Sequence, residues 1–120
     1  MNLGVKHLIM IMSHEEYIEK QRKRAVAVAM GMLDGSIHYL EGAIELSFLR
    51  FEVDLPEDDN DFLTFAGIAS EIEHLPIGKQ RQYWSQEALE RHEAEIQQFN
   101  NWAKDISLSE CKSIVARFNA

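Results

Sequence analysis

The sequence predicts an all-α protein: a single compact domain of about five helices, mostly with antiparallel neighbours. Three observations carry that reading. Six Gly and two Pro in 120 residues are too few turn formers for a strand-rich fold. Apolar residues recur at three- and four-residue steps, and no useful stretch alternates as a strand would. Helix start and stop signals punctuate the chain from Ser13 onward.

The first helix starts at Ser13-His-Glu-Glu16, a capping box in which Ser caps the helix and Glu16 reaches back. Glu16–Lys20 and Glu19–Lys23 add favourable pairs four residues apart. From Ala25 to Leu33 nearly every position is apolar, the pattern of a central helix. Leu33-Asp-Gly-Ser36 reads as a stop, with Gly35 in the left-handed cap position and Ser36 capping the next helix. The second helix is expected over 37–51, burying Leu40, Ile44 and Phe48, with Ile37, Leu46 and Leu49 widening the stripe.

The stretch 52–61 reads as a loop, because Pro56 disfavours helix before it and Asp and Asn side chains compete for the backbone. It lacks the Gly and Glu offsets of a calcium-binding loop. Asn60 or Asp61 caps a third helix over 62–74, which Pro76 and Gly78 end. Lys79–Trp84 is a connector or a single turn. Ser85 caps a fourth helix to about Asp105, with Leu89, Ile96, Phe99, Trp102 and Ala103 facing inward. Ser107-Leu-Ser-Glu110 reads as a second capping box, opening a fifth helix to about Phe118.

The domain is expected over 13–120, preceded by a flexible tail at 1–12, where Met10 or Met12 would also serve as a start. The apolar run 8–12 is too short for a signal-peptide core, and no segment approaches the ~18 apolar residues of a membrane span. One cysteine, Cys111, cannot staple the fold, so a reducing cytoplasm is the expected compartment and a packed thiol the expected role.

Net charge is -8, and its location is informative. Between residues 51 and 78 lie eight acidic residues and no Lys or Arg; elsewhere 12 acids face 12 bases. No basic footprint for nucleic acid exists. The acidic segment, with Asp58, Asp59 and Asp61, is either a solvated loop or a surface that steers a basic protein.

Three constellations carry possible chemistry. Glu71-x-x-His74 has the spacing of carboxylate-bridged metal proteins, but it occurs once where a di-iron bundle needs it twice. Glu41 and Glu45, with His38 on the same helical face, would complete a mixed carboxylate–imidazole site for a divalent metal. The plainer reading of all five residues is an exposed polar face. Tyr83 and Trp84 beside Arg81 form either a binding anchor or, for Trp84, a staple onto the next helix. Gly42, mid-helix, costs about 1 kcal/mol against Ala, and close helix packing explains it. Nucleophile elbows, phosphate-cradling loops and Cys-x-x-Cys pairs are missing from the sequence.

The segment DFLTFAGIASEIEHLPIGKQRQYW, followed by SQEALERHEAEI, resembles a group of small bacterial helical proteins that share an EGA-like second helix, a Trp and a closing helix. The resemblance spans about Ala25–Phe118. It implies a bacterial cytoplasmic protein and brings no catalytic residues. The function expected first is an acidic protein-interaction module, such as an immunity-type inhibitor. A metal-binding protein or enzyme on Glu41, Glu45, Glu71 and His74 is the alternative, and self-association is compatible with the first.

Overall fold

Ser13 caps the first helix as its spacing predicts: the Glu16 N–H donates to the Ser13 hydroxyl at 3.1 Å. From there the computed structural model describes residues 13–118. The helices are α1 (His14–Asp34), α2 (Tyr39–Leu49), α3 (Asn60–Glu71), a 3-10 helix (Gly78–Tyr83) and α4 (Gln86–Phe118). No strand occurs among the described residues. The expected tail at 1–12 lies outside them.

Neighbouring helices run antiparallel, as cross-helix contacts show. Tyr17 reaches Glu52 and Arg24 reaches Glu45, so α1 ascends as α2 descends. Cys111 meets Ala29, while Arg22 stacks on Phe118. Asp59 and Asp61 bond Arg117, while His74 meets Glu95, so α3 and α4 are also opposed. The core is Val28 and Met32 from α1, Leu40 and Leu46 from α2, Phe62, Phe65 and Ile68 from α3, and Ile96 and Ile114 from α4. Each such burial is worth about 1.5–3 kcal/mol against exposure.

Gly35 takes the left-handed conformation at φ 85° and ends α1. Ser36 does not cap α2; its N–H is turned back onto the Asp34 carboxylate at 2.8 Å. His38 caps instead, its Nδ1 accepting the Leu40 N–H at 3.3 Å. In α2 the buried positions are Tyr39, Leu40, Gly42, Ala43, Leu46 and Leu49, and Ile44 is half-buried. Phe48, expected inside, is 70% exposed. The reason is Gly42: its missing side chain makes room for Met32, which rotates α2 onto its small face and turns Phe48 away.

The largest departure is at Ser107. No helix starts there, and α4 runs unbroken for 33 residues. Ser107 is fully buried, donates to the Ala103 carbonyl one turn back and lies 2.6 Å from the Tyr39 hydroxyl. A serine satisfied by its own i−4 carbonyl has no capping role to play. The five helical segments therefore include the 3-10 connector rather than a separate last helix. Trp102, expected in the core, sits at the boundary at 36% exposure, edge-on to Phe99.

Candidate functional site

The structure distributes the expected metal set. Glu41 is exposed on α2. Glu45 is clamped by Arg24, Nε to Oε1 at 2.6 Å and Nη2 to Oε2 at 2.9 Å, in a bidentate pair. Glu71 is the last residue of α3, and His74 lies in the turn beyond it. The Leu75 N–H bonds the Ile72 carbonyl, and Pro76 follows, so the helix ends between the two residues. His74 faces Glu95 of α4 at 3.5 Å, with Phe99 edge-on to its ring. His92 approaches the same carboxylate at 3.1 Å. Hydrogen bonds from His92 and then His74 hold the Glu95 carboxyl below its ordinary range, while desolvation works against them. Among the described residues, no three His, Cys, Asp or Glu side chains converge on a metal-sized site.

A polar pocket of about 260 Å³ gathers His38 and Glu41 with Arg81 and Glu93. Its floor is Gly78, in the left-handed region at φ 66°, and a β-carbon there would stand 3.2 Å from the Glu41 carboxylate. Arg81 also donates to the Pro76 carbonyl at 3.3 Å, which ties the connector to the turn before it. The pocket thus holds one cation against two anions.

Tyr83 and Trp84 part company. Tyr83 is 82% exposed, whereas the Trp84 ring packs edge-on against His92 at 5.2 Å. Ser85 caps α4 by accepting the Ala88 N–H at 3.1 Å. Trp84 therefore pins the entry to α4.

The acidic segment is not uniformly free. Arg117 bonds Asp59 through both terminal nitrogens, at 2.9 Å each, and Asp61 through one, at 2.8 Å. Ser113 donates to Asp61 at 2.7 Å. These carboxylates tie the start of α3 to the end of α4. The Arg117 hydrogen bonds hold the Asp59 carboxyl below its ordinary range. Asp58 remains exposed.

A cleft of about 580 Å³ lies between α2 and α3 and was not foreseen. One wall is Ile44, Phe48 and Phe51; the other is Ala66, Ala69 and Ser70 of α3. Ile72, Leu75 and Ile77 contribute apolar surface beneath. Phe48 and Phe51 are 70% and 57% exposed. The Phe51 N–H bonds the Phe48 carbonyl at 3.4 Å, closing the turn that follows α2. Arg50 lies over the Phe51 ring at 4.3 Å, and its Nε is buried without a hydrogen-bond partner. The signal for this site is a surplus: once Leu40, Ala43, Leu46 and Leu49 face the core, Phe48 and Phe51 are apolar residues with nothing to cover. No helix among the described residues is long and apolar enough to cross a membrane.

No protein family, curated protein or solved structure matches the chain.

Proposed function

We propose that this chain is a protein-interaction module, with no enzymatic role, and that its contact surface is the α2–α3 cleft. The observation that carries the reading is the pair of exposed aromatics, Phe48 and Phe51, standing on the rim of a 580 Å³ apolar cleft. Clustered exposed aromatics at a concavity are the usual anchors of binding energy, and a lone fold rarely leaves them uncovered. The catalytic alternative on Glu41, Glu45, Glu71 and His74 has less support, because Glu45 is paired with Arg24 and His74 with Glu95. A cytoplasmic location accompanies the reading, consistent with a single buried thiol.

A second reading keeps the acidic loop as the contact, in the manner of an immunity-type inhibitor covering a basic protein. It is favoured by Asp54, Glu57 and Asp58, all exposed in the α2–α3 loop. Neither reading involves nucleic acid or a membrane.

Site-specific photocrosslinking in cells tests the first against the second. A photoreactive phenylalanine analogue at position 48 is expected to form protein adducts, whereas the same analogue at position 58 or 83 is not. Adducts from position 58 alone would replace the cleft by the acidic loop. Native mass spectrometry of the purified protein tests the metal alternative: a bound divalent ion lost on Glu71→Ala would establish it.

A further inference from the structure

The α2–α3 cleft carries both a protrusion and a socket. Phe48 and Phe51 project from one wall, and the facing wall is lined by Ala66, Ala69 and Ser70, whose small side chains leave the cavity. Gly67, beside them on α3, is exposed, and a β-carbon there would meet nothing within 4 Å. A face that bears a knob next to a hole of aromatic size is complementary to itself under a two-fold rotation.

Charge decides between a second copy and a basic partner. The molecule carries -8 overall, but the cleft lining holds one cation, Arg50, and one anion, Glu73. The contact face is therefore neutral, and the acidic excess lies outside it. A basic partner would find no surplus of acid inside the cleft. A second copy would set the Arg50 of one chain towards the Glu73 of the other, twice, so that opposite charges face each other within the cleft. A standard interface covers about 800 Å² per partner, roughly a tenth of the surface of a protein this small, so the contact would extend from the cleft onto the flanking faces of α2 and α3.

We infer that the cleft seats a second copy of this chain in an isologous dimer, Phe48 and Phe51 of each copy entering the cleft of the other. The inference rests on the reading of the cleft as the contact surface and names its occupant.

Sedimentation velocity of the full chain over a concentration series is the test, at low and high salt, with wild type, Phe48→Asp, Arg50→Glu, Glu73→Arg and the double charge swap. Wild type is expected to dimerise. Salt is expected to tighten the dimer, because two copies of like net charge repel; a basic partner would give the opposite sign. Phe48→Asp is expected to abolish dimerisation. Each single charge reversal is expected to weaken it at least tenfold, and the double swap to restore it, a rescue that a merely structural role would not give.

A monomer at every concentration overturns the inference. Adducts from position 48 to a different protein would then leave the cleft reading standing, and adducts within the chain would make a segment of the chain the occupant. A dimer indifferent to Phe48→Asp and to both charge reversals overturns the inference and the cleft reading together. Circular dichroism of each variant confirms that a lost dimer is not a lost fold.

Discussion

Ser107 donates its proton to the Ala103 carbonyl, so the Tyr39 hydroxyl must be the donor in the 2.6 Å bond between them. Tyr39 is 3% exposed, and desolvation pushes its phenol up to about 12 although the Ser107 bond opposes the shift. Ser107→Ala leaves that hydroxyl buried and unpaired, at an expected cost of about 1–3 kcal/mol. Tyr39→Phe leaves Ser107 still bonded to Ala103 and costs about 1 kcal/mol. The double variant is expected to lose less than the sum, and a urea-unfolding double-mutant cycle measures the difference; a coupling inside about 0.3–0.5 kcal/mol of zero would refute the pairing. At the other end of α4, Arg117 fixes Asp59 and Asp61. Because the folded Asp59 carboxyl lies below its ordinary range, its contribution is complete above the unfolded value of about 3.9 and is lost as pH falls through the lower folded value. Arg117→Ala is therefore expected to cost about 1.5 kcal/mol at neutral pH, and the gap from wild type to narrow below about pH 4. Urea titrations at pH 7 and pH 3 check it, and a gap of equal size at both would show that packing rather than charge is lost.

Two glycines inside helices have opposite standing. Gly42 is buried, and a β-carbon there would overlap Met32 of α1; Gly67 is exposed, and the same atom would touch nothing. Gly67→Ala is expected to stabilise by about 0.5–1 kcal/mol through helix propensity. Gly42→Ala gains the same propensity and is still expected to destabilise, by a net of up to about 2 kcal/mol, because overpacking costs about 1–3 kcal/mol. Thermal melts of the two variants should move in opposite directions; two rises would mean that Met32 yields freely. Close packing at Gly42 was legible from a Gly set mid-helix among apolar residues, and so were the caps at Ser13, Gly35 and Ser85. What misled was local chemistry read without its partner. Ser107-Leu-Ser-Glu110 has every residue of a capping box, and only the Tyr39 hydroxyl 68 positions away shows why the helix continues. Phe48 fits a four-residue stripe as well as Leu46 fits a three-residue one, and the choice belongs to Met32 on another helix. The cleft was hidden for the same reason: its two walls come from α2 and α3, and which faces meet is a tertiary fact.

The long α4 organises the whole molecule, since it meets α1 through Cys111, α2 through Ser107 and α3 through Ser113. Cys111 makes that arrangement measurable. Its side chain is fully buried, it donates to the Ala29 carbonyl at 3.4 Å, and burial pushes the thiol up to about 11. The thiolate is the reactive form, so the native residue is inert on both grounds, exposure and ionisation. Reaching it requires α4 to part from α1, and the flanking contacts at Ser107 and Ile114 leave little room for a local opening. Labelling by a disulfide reagent at pH 8 is therefore expected to proceed through global unfolding, its rate following the unfolding equilibrium constant. Ser107→Ala, if it costs 1.4 kcal/mol, should then speed labelling about tenfold, and Gly67→Ala should slow it about two- to fivefold. Rates that track urea-derived stabilities across these variants would establish one cooperative unit. Rates that ignore Gly67→Ala while responding to Ser107→Ala would instead mark the second half of α4 as a separate unit that opens without α3.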